Sequence, residues 1–190
     1  MGDFLQLIGS IVIGSLFFIG VLSFQGDVVD FSNDNLFQLL TQETAASFME
    51  IIDHDFRRIG SAIPKGMQAI SDTSAITFLG DVTEDGIADT VRYFIGPSSD
   101  ASGTENPNDV ILFRVVNGVT TISQRAGVTS FNIDFLDEIG APTTDLRDVR
   151  MLDVQLTVES KESYNENYAR ALWEKRITPQ NLNRVTTTKF

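Results

Sequence analysis

Cysteine is absent from this chain of 190 residues, so no disulfide braces it and no thiolate is on hand as nucleophile or metal ligand. Histidine occurs once, at His54, which excludes multi-histidine metal sites and Cys–His pairs. No Gly-x-Ser-x-Gly turn, phosphate-cradling loop or dinucleotide fingerprint occurs, so the chain reads as no enzyme. Basic residues are scarce: 14 Lys and Arg against 26 Asp and Glu leave a formal charge of -12. That field repels phosphate backbones and speaks against nucleic acid as a partner.

Charge of either sign is missing altogether from Phe4 to Phe24, FLQLIGSIVIGSLFFIGVLSF. About 20 apolar residues in a row are what a helix needs to cross a bilayer, and a helix is the required form because lipid offers the backbone no hydrogen bonds. The run lacks the basic flank and small-residue exit of a cleaved secretory signal, so it is expected to be retained. Neither flank is rich in Lys or Arg, the first arginine being Arg57, so charge does not set its orientation. Gly9, Gly14 and Gly20, with Ser10 and Ser15, interrupt the large side chains and suit close approach of neighbouring helices.

Past the acidic flank Gln25 to Asn35, the residues Phe37, Leu40, Phe48, Ile52, Phe56 and Ile59 recur at helical spacing on one stripe. The pattern predicts an amphipathic helix that ends at Gly60, with Arg57 and Arg58 suiting the negative end of its dipole, and a bend near Gly26 separating it from the first helix. Beyond Pro64 the signals are those of strands: Ala75–Leu79 and Thr90–Ile95 around the turn-rich GDVTEDGIAD, then Val110–Val116 and Val119–Ser123 around Asn117-Gly118. Val128–Leu136 and Met151–Glu159 alternate apolar and polar residues, so each buries one face. The loop from Gly96 to Asn108 is expected to be mobile. The expected fold is α+β: a hydrophobic helix over 1–30, an amphipathic helix over 31–63, and a β-rich domain over 64–190 whose antiparallel sheet accepts the helix stripe.

In this order, FMEIIDHDFRRIGSAI, ITFLGDVTEDGIADTVRYFIG, RAGVTSFNIDFLD and ITPQNLNR resemble the type IV pilin-like proteins, nearest to the J-type minor pseudopilins and W-type minor pilins. The resemblance implies a structural subunit of a pilus or pseudopilus, drawn from the inner membrane into an extracellular or periplasmic filament. Its partners are then copies of itself or other pilin-like subunits, bundled through their N-terminal helices. A minor tip or priming subunit and a membrane-tethered adhesin are the alternatives. Family members usually carry a glutamate at the fifth mature position; here that position is Leu5, and Asp3 is the nearest acid. Asp3, Gly9, Gly14 and Gly20 are thus the candidate assembly residues.

One stretch admits chemistry. Asp81, Thr83, Asp85, Ile87 and Asp89 stand at positions 1, 3, 5, 7 and 9 of a calcium loop with Gly86 at 6, but position 12 is Arg92 in place of the bidentate acid. Calcium ligation and a plain acidic hairpin turn both fit this spacing. His54, between Asp53 and Asp55, reads as a structural or solvated residue, since sequence neighbours do not share a helix face. Trp173, with Tyr164 and Tyr168 near it, reads as a core residue ahead of an adhesive surface.

Overall fold

One helix, α1 (Gly2–Arg57, 56 residues), runs from the N-terminus into the domain without a break. The structure, a computed structural model, describes residues 2–63, 69–72, 75–163, 167–179 and 181–182. At 1.5 Å per residue α1 is about 84 Å long. The bend expected near Gly26 does not occur, so the hydrophobic helix of 1–30 and the amphipathic helix of 31–63 are one rod. A glycine inside a helix costs only about 1 kcal/mol, too little to interrupt hydrogen bonding that continues on both sides. The helix stops at Arg57 and not Gly60; a turn carries the chain on to Gly60, whose amide donates to the Leu79 carbonyl at 2.8 Å and ties it to the sheet.

The rest is a seven-stranded antiparallel meander in which each strand pairs with the next. Its strands are β1 (Ile70–Asp72), β2 (Thr77–Gly80), β3 (Asp89–Ile95), β4 (Val110–Val116), β5 (Val119–Leu136), β6 (Met151–Glu159) and β7 (Arg170–Ile177). Asn117 and Gly118 both take positive φ, 52° and 81°, the left-handed pair that a tight β4–β5 hairpin requires. The two strands expected at Val119–Ser123 and Val128–Leu136 are a single 18-residue strand, β5. Its first half pairs with β4 and its second with β6, and the exchange falls at Val128, which faces Val110 on one side and Val158 on the other. Gly127, at φ 75°, allows it: a Cβ there would sit 2.1 Å from the Glu159 carbonyl oxygen.

The sheet's inner face carries Leu152, Val154, Leu156 and Val158 from β6, as their alternation predicts, with Phe135 beside them. Thr157, expected on the wet face, is buried. The helix lays Ala45, Phe48, Met49, Ile52 and Phe56 on this face, with Ile59 following in the turn. Phe56 meets the rings of Phe78 and Tyr93 edge to face at 5.6 and 5.5 Å. Leu40, expected in the stripe, is half exposed, and Phe37 is only partly covered, because the sheet does not reach that far along the rod. Five large buried side chains at about 1.5–3 kcal/mol each hold the helix to the sheet, on the order of 10 kcal/mol before entropy.

Candidate functional site

The free half of α1 is the first candidate. Phe4 and the large apolar side chains from Leu7 to Phe24 stand exposed, and nothing among the described residues covers them. Among the described residues α1 is the one helix long and apolar enough to cross a membrane. Its small polar residues make no demand on their surroundings, since the Ser10 hydroxyl donates to the Leu7 carbonyl and Ser15 to Val12, each at 2.9 Å. Asp3 is exposed in the first turn. Space is open around Gly9, Gly14 and Gly20, where a Cβ would meet nothing within 4 Å, so whatever they pack against is not this chain.

The acidic β2–β3 turn is the second. The Asp81 carboxylate accepts from the backbone amides of Asp85 and Gly86, both at 3.1 Å, and Asp85 Oδ1 accepts from the Ile87 amide at 2.8 Å. Asp89 is turned into the fold. Its Oδ2 accepts from the Val82 amide and from the Thr83 amide and hydroxyl, and its Oδ1 from Asn117 Nδ2 at 2.7 Å. Burial works to raise the Asp89 pKa, but these donors together hold it below the ordinary carboxylate value. The Ile87 side chain is exposed at the tip. Among the described residues no group of three or more carboxylate or histidine side chains gathers where a metal could be held. The turn is shaped by hydrogen bonds from its own amides, and a cation there has to compete with them.

At the junction of helix and sheet lies a polar cluster that sequence reasoning missed. Asp55, fully buried, accepts the Tyr93 hydroxyl at 2.6 Å and a bidentate pair from Arg114, Nε at 2.6 Å and Nη2 at 2.9 Å. Burial, and then the Asp55 charge, raise the Tyr93 pKa well above its usual value, so the phenol keeps its proton. These partners lie 38 and 59 residues from Asp55, and no local spacing announces them. His54 is on the outer side, where Arg58 Nε donates to its Nε2 at 3.2 Å and Arg58 also pairs with Glu84. Trp173 is partly buried against the core with Lys175 Nζ 5.6 Å from its ring centroid, and the Tyr168 hydroxyl donates to the Glu105 carbonyl at 3.3 Å. Tyr164 lies outside the described residues.

The loop expected to be mobile is instead folded against the sheet end through a short 3-10 turn, Ser98–Ala101, with Ala101 and Asn106 buried. Asn106 Nδ2 donates to Glu159 Oε2 at 3.0 Å and to the Ser160 carbonyl at 3.2 Å. Beside it a groove of about 340 Å³ opens between the middle of α1, at Phe37, Leu40, Thr41 and Thr44, and the end of β6 at Glu159 and Ser160.

No family model, no curated protein and no solved structure matches this chain.

Proposed function

We propose that this chain is a membrane-anchored structural subunit of a type IV pilus-like or pseudopilus filament, assembled through α1. One observation carries the reading: a rigid helix of 56 residues has its last third built into a β domain and its apolar first half wholly bare. A bare apolar rod is unstable in water and needs lipid or other helices around it. A continuous helix also holds the acidic domain at a constant offset from whatever the rod enters, as a repeating assembly requires. The resemblance of the four sequence stretches to pilin-like proteins points the same way, with the inner membrane as the place where the subunit waits. The chain contributes no chemistry in this reading, and its partners are copies of itself or related subunits.

Electron microscopy of native material with antibody against the β domain tests this. Label along filament shafts is expected, label confined to filament ends makes the chain a tip or priming subunit, and membrane label without filaments defeats the proposal. A chain shortened to begin at Ser32 is expected to be soluble, rich in antiparallel sheet by circular dichroism, and absent from filaments.

A further inference from the structure

Asp109, the residue before β4, is buried to 2% exposure, and among the described residues neither of its carboxylate oxygens has a hydrogen-bond partner of good geometry, the nearby Thr104 hydroxyl donating to the Ala101 carbonyl at 3.2 Å. A buried carboxylate without partners costs several kcal/mol, and folds rarely keep one without a use for it. Its neighbours are oxygen-rich. The Thr104 hydroxyl lies close enough to act on it as a weak hydrogen-bond donor, the Glu159 carboxylate acts on it by charge, and among the described residues the exposed Lys161 is the cation that does. Burial, first, and then the Glu159 charge push the Asp109 carboxyl above the usual range, the Thr104 hydroxyl and Lys161 opposing.

Glu159 is held in place but not used up. Asn108 donates its backbone amide to Asn106 Oδ1 at 2.9 Å, which orients the Asn106 side chain so that its NH2 group faces Glu159 Oε2 and the Ser160 carbonyl. Asn108 Nδ2 adds a longer bond to the same Oε2 at 3.4 Å, while Glu159 Oε1 accepts none among the described residues. Asn106, whose carbonyl accepts the Asp109 amide at 3.2 Å and whose side chain donates to Glu159, thus links two carboxylates 50 residues apart in sequence, one of them buried, with three oxygens left over.

We propose that Asp109 and Glu159 bind a divalent cation of the calcium class, with oxygens of the 104–109 loop completing the shell. Calcium suits the site because it accepts irregular sets of carboxylate, hydroxyl and carbonyl oxygens, whereas magnesium demands near-octahedral geometry and gives up its waters reluctantly. The contrast with the β2–β3 turn is one of satisfaction: there backbone amides engage the carboxylates, whereas here Glu159 Oε2 alone is engaged, by Asn106 and Asn108. Since Glu159 also walls the groove against α1, the bound cation fastens the 98–109 loop to the end of β6 beside the point where the rod leaves the domain.

The test uses the full chain in detergent micelles, with calcium, magnesium or chelator, and terbium as an emitting substitute for calcium. Tyr168, bonded to the Glu105 carbonyl on the same loop, is placed to sensitise terbium. Wild-type protein is expected to melt several degrees higher in calcium than in chelator, with little gain in magnesium. Tyrosine-excited terbium emission is expected to rise several-fold and to be reversed by calcium. Asp109→Asn keeps the shape but removes the charge: it is expected to melt as high as wild type or higher in chelator, and to lose both the calcium gain and the emission. Asp85→Asn is expected to keep both. Superimposable wild-type melts without terbium emission overturn the proposal, as does an Asp109→Asn protein that responds like wild type. A response lost in Asp85→Asn instead places the cation in the β2–β3 turn and equally overturns it.

Discussion

Asp55 sits where α1 meets β3 and β4, and its carboxylate accepts the Tyr93 hydroxyl and a forked pair from Arg114, with His54 Nδ1 3.3 Å from its Oδ1. Replacing it with alanine takes from the phenol and from the guanidinium fork the charged acceptor they share. Breaking a buried ion pair from one side costs about 3–5 kcal/mol, so Asp55→Ala is expected to lose that much in denaturant unfolding of the domain from Ser32 onward. Arg57, mostly exposed, pairs with Asp53 one turn earlier at 2.8 Å. Solvent screens that contact, and Arg57→Ala is expected to cost less than about 1 kcal/mol in the same experiment. Equal losses would mean that the buried fork does not hold the helix to the sheet. The sequence DHD around His54 draws the eye to the histidine, yet the neighbouring aspartate is the one that matters, because burial and not composition sets the stakes.

Among the elements, α1 is divided by what touches it. Its C-terminal third is packed on β6 and β7, and its apolar first half is left uncovered by the described residues. Gly14 lies in the bare part with open space where a side chain would go. Gly14→Ile is therefore expected to leave the melting temperature of the β domain unchanged and to reduce filament yield several-fold, since only the approach of a neighbouring helix is obstructed. Undiminished yield would show that helices do not meet at that face. The strand β5 shows the converse, an element defined by its neighbours. From sequence, Gln124 to Gly127 reads as a break between two strands; in the fold the chain stays in the sheet through it, turning at Gly127, because β4 supplies partners up to Val128 and β6 from there on.

For the whole molecule the acidic balance, -12, meets a fold in which several carboxylates are engaged in opposite senses. Arg176 grips Asp153 through two bonds at 2.7 and 2.6 Å and lowers its pKa. Asp53 is also lowered, its burial outweighed by Arg57 and Lys175 together, and Asp89 by Asn117, Thr83 and Val82. A depressed carboxylate contributes stability that is complete above the unfolded pKa, near 4, and is lost as pH falls through the folded value. Asp109 has the other sign, since its raised pKa penalises the folded state once the unfolded carboxyl ionises, and protonating it on the way down from neutrality relieves that penalty. In chelator the melting temperature is thus expected to peak on the acid side of neutrality and to fall below about pH 4. Asp109→Asn should remove the rise and Asp153→Asn soften the fall in a circular-dichroism series over pH. A curve that only climbs from pH 3 to 8 in both wild type and Asp109→Asn would contradict the assignment.

Much of this architecture was already determined by local sequence, because local physics suffices for it. An uncharged apolar run from Phe4 to Phe24 has to be a helix wherever it leaves water, Phe48, Ile52 and Phe56 repeat at helical spacing, and Asn117-Gly118 accepts the left-handed backbone of a hairpin. The period of two in Met151–Glu159 marked a face to be buried. What tertiary structure alone decided is whatever depends on partners distant in sequence: that α1 runs straight through Gly26, that β5 changes neighbours at Val128, that Leu40 is left outside the core. The same holds for the sites. Acids clustered in sequence, Asp81, Asp85 and Asp89, are the visible candidates, but folding turns amides toward them. Asp109 and Glu159 carry no shared motif, and the site proposed for them exists only once the 98–109 loop folds across the sheet end and buries Asp109.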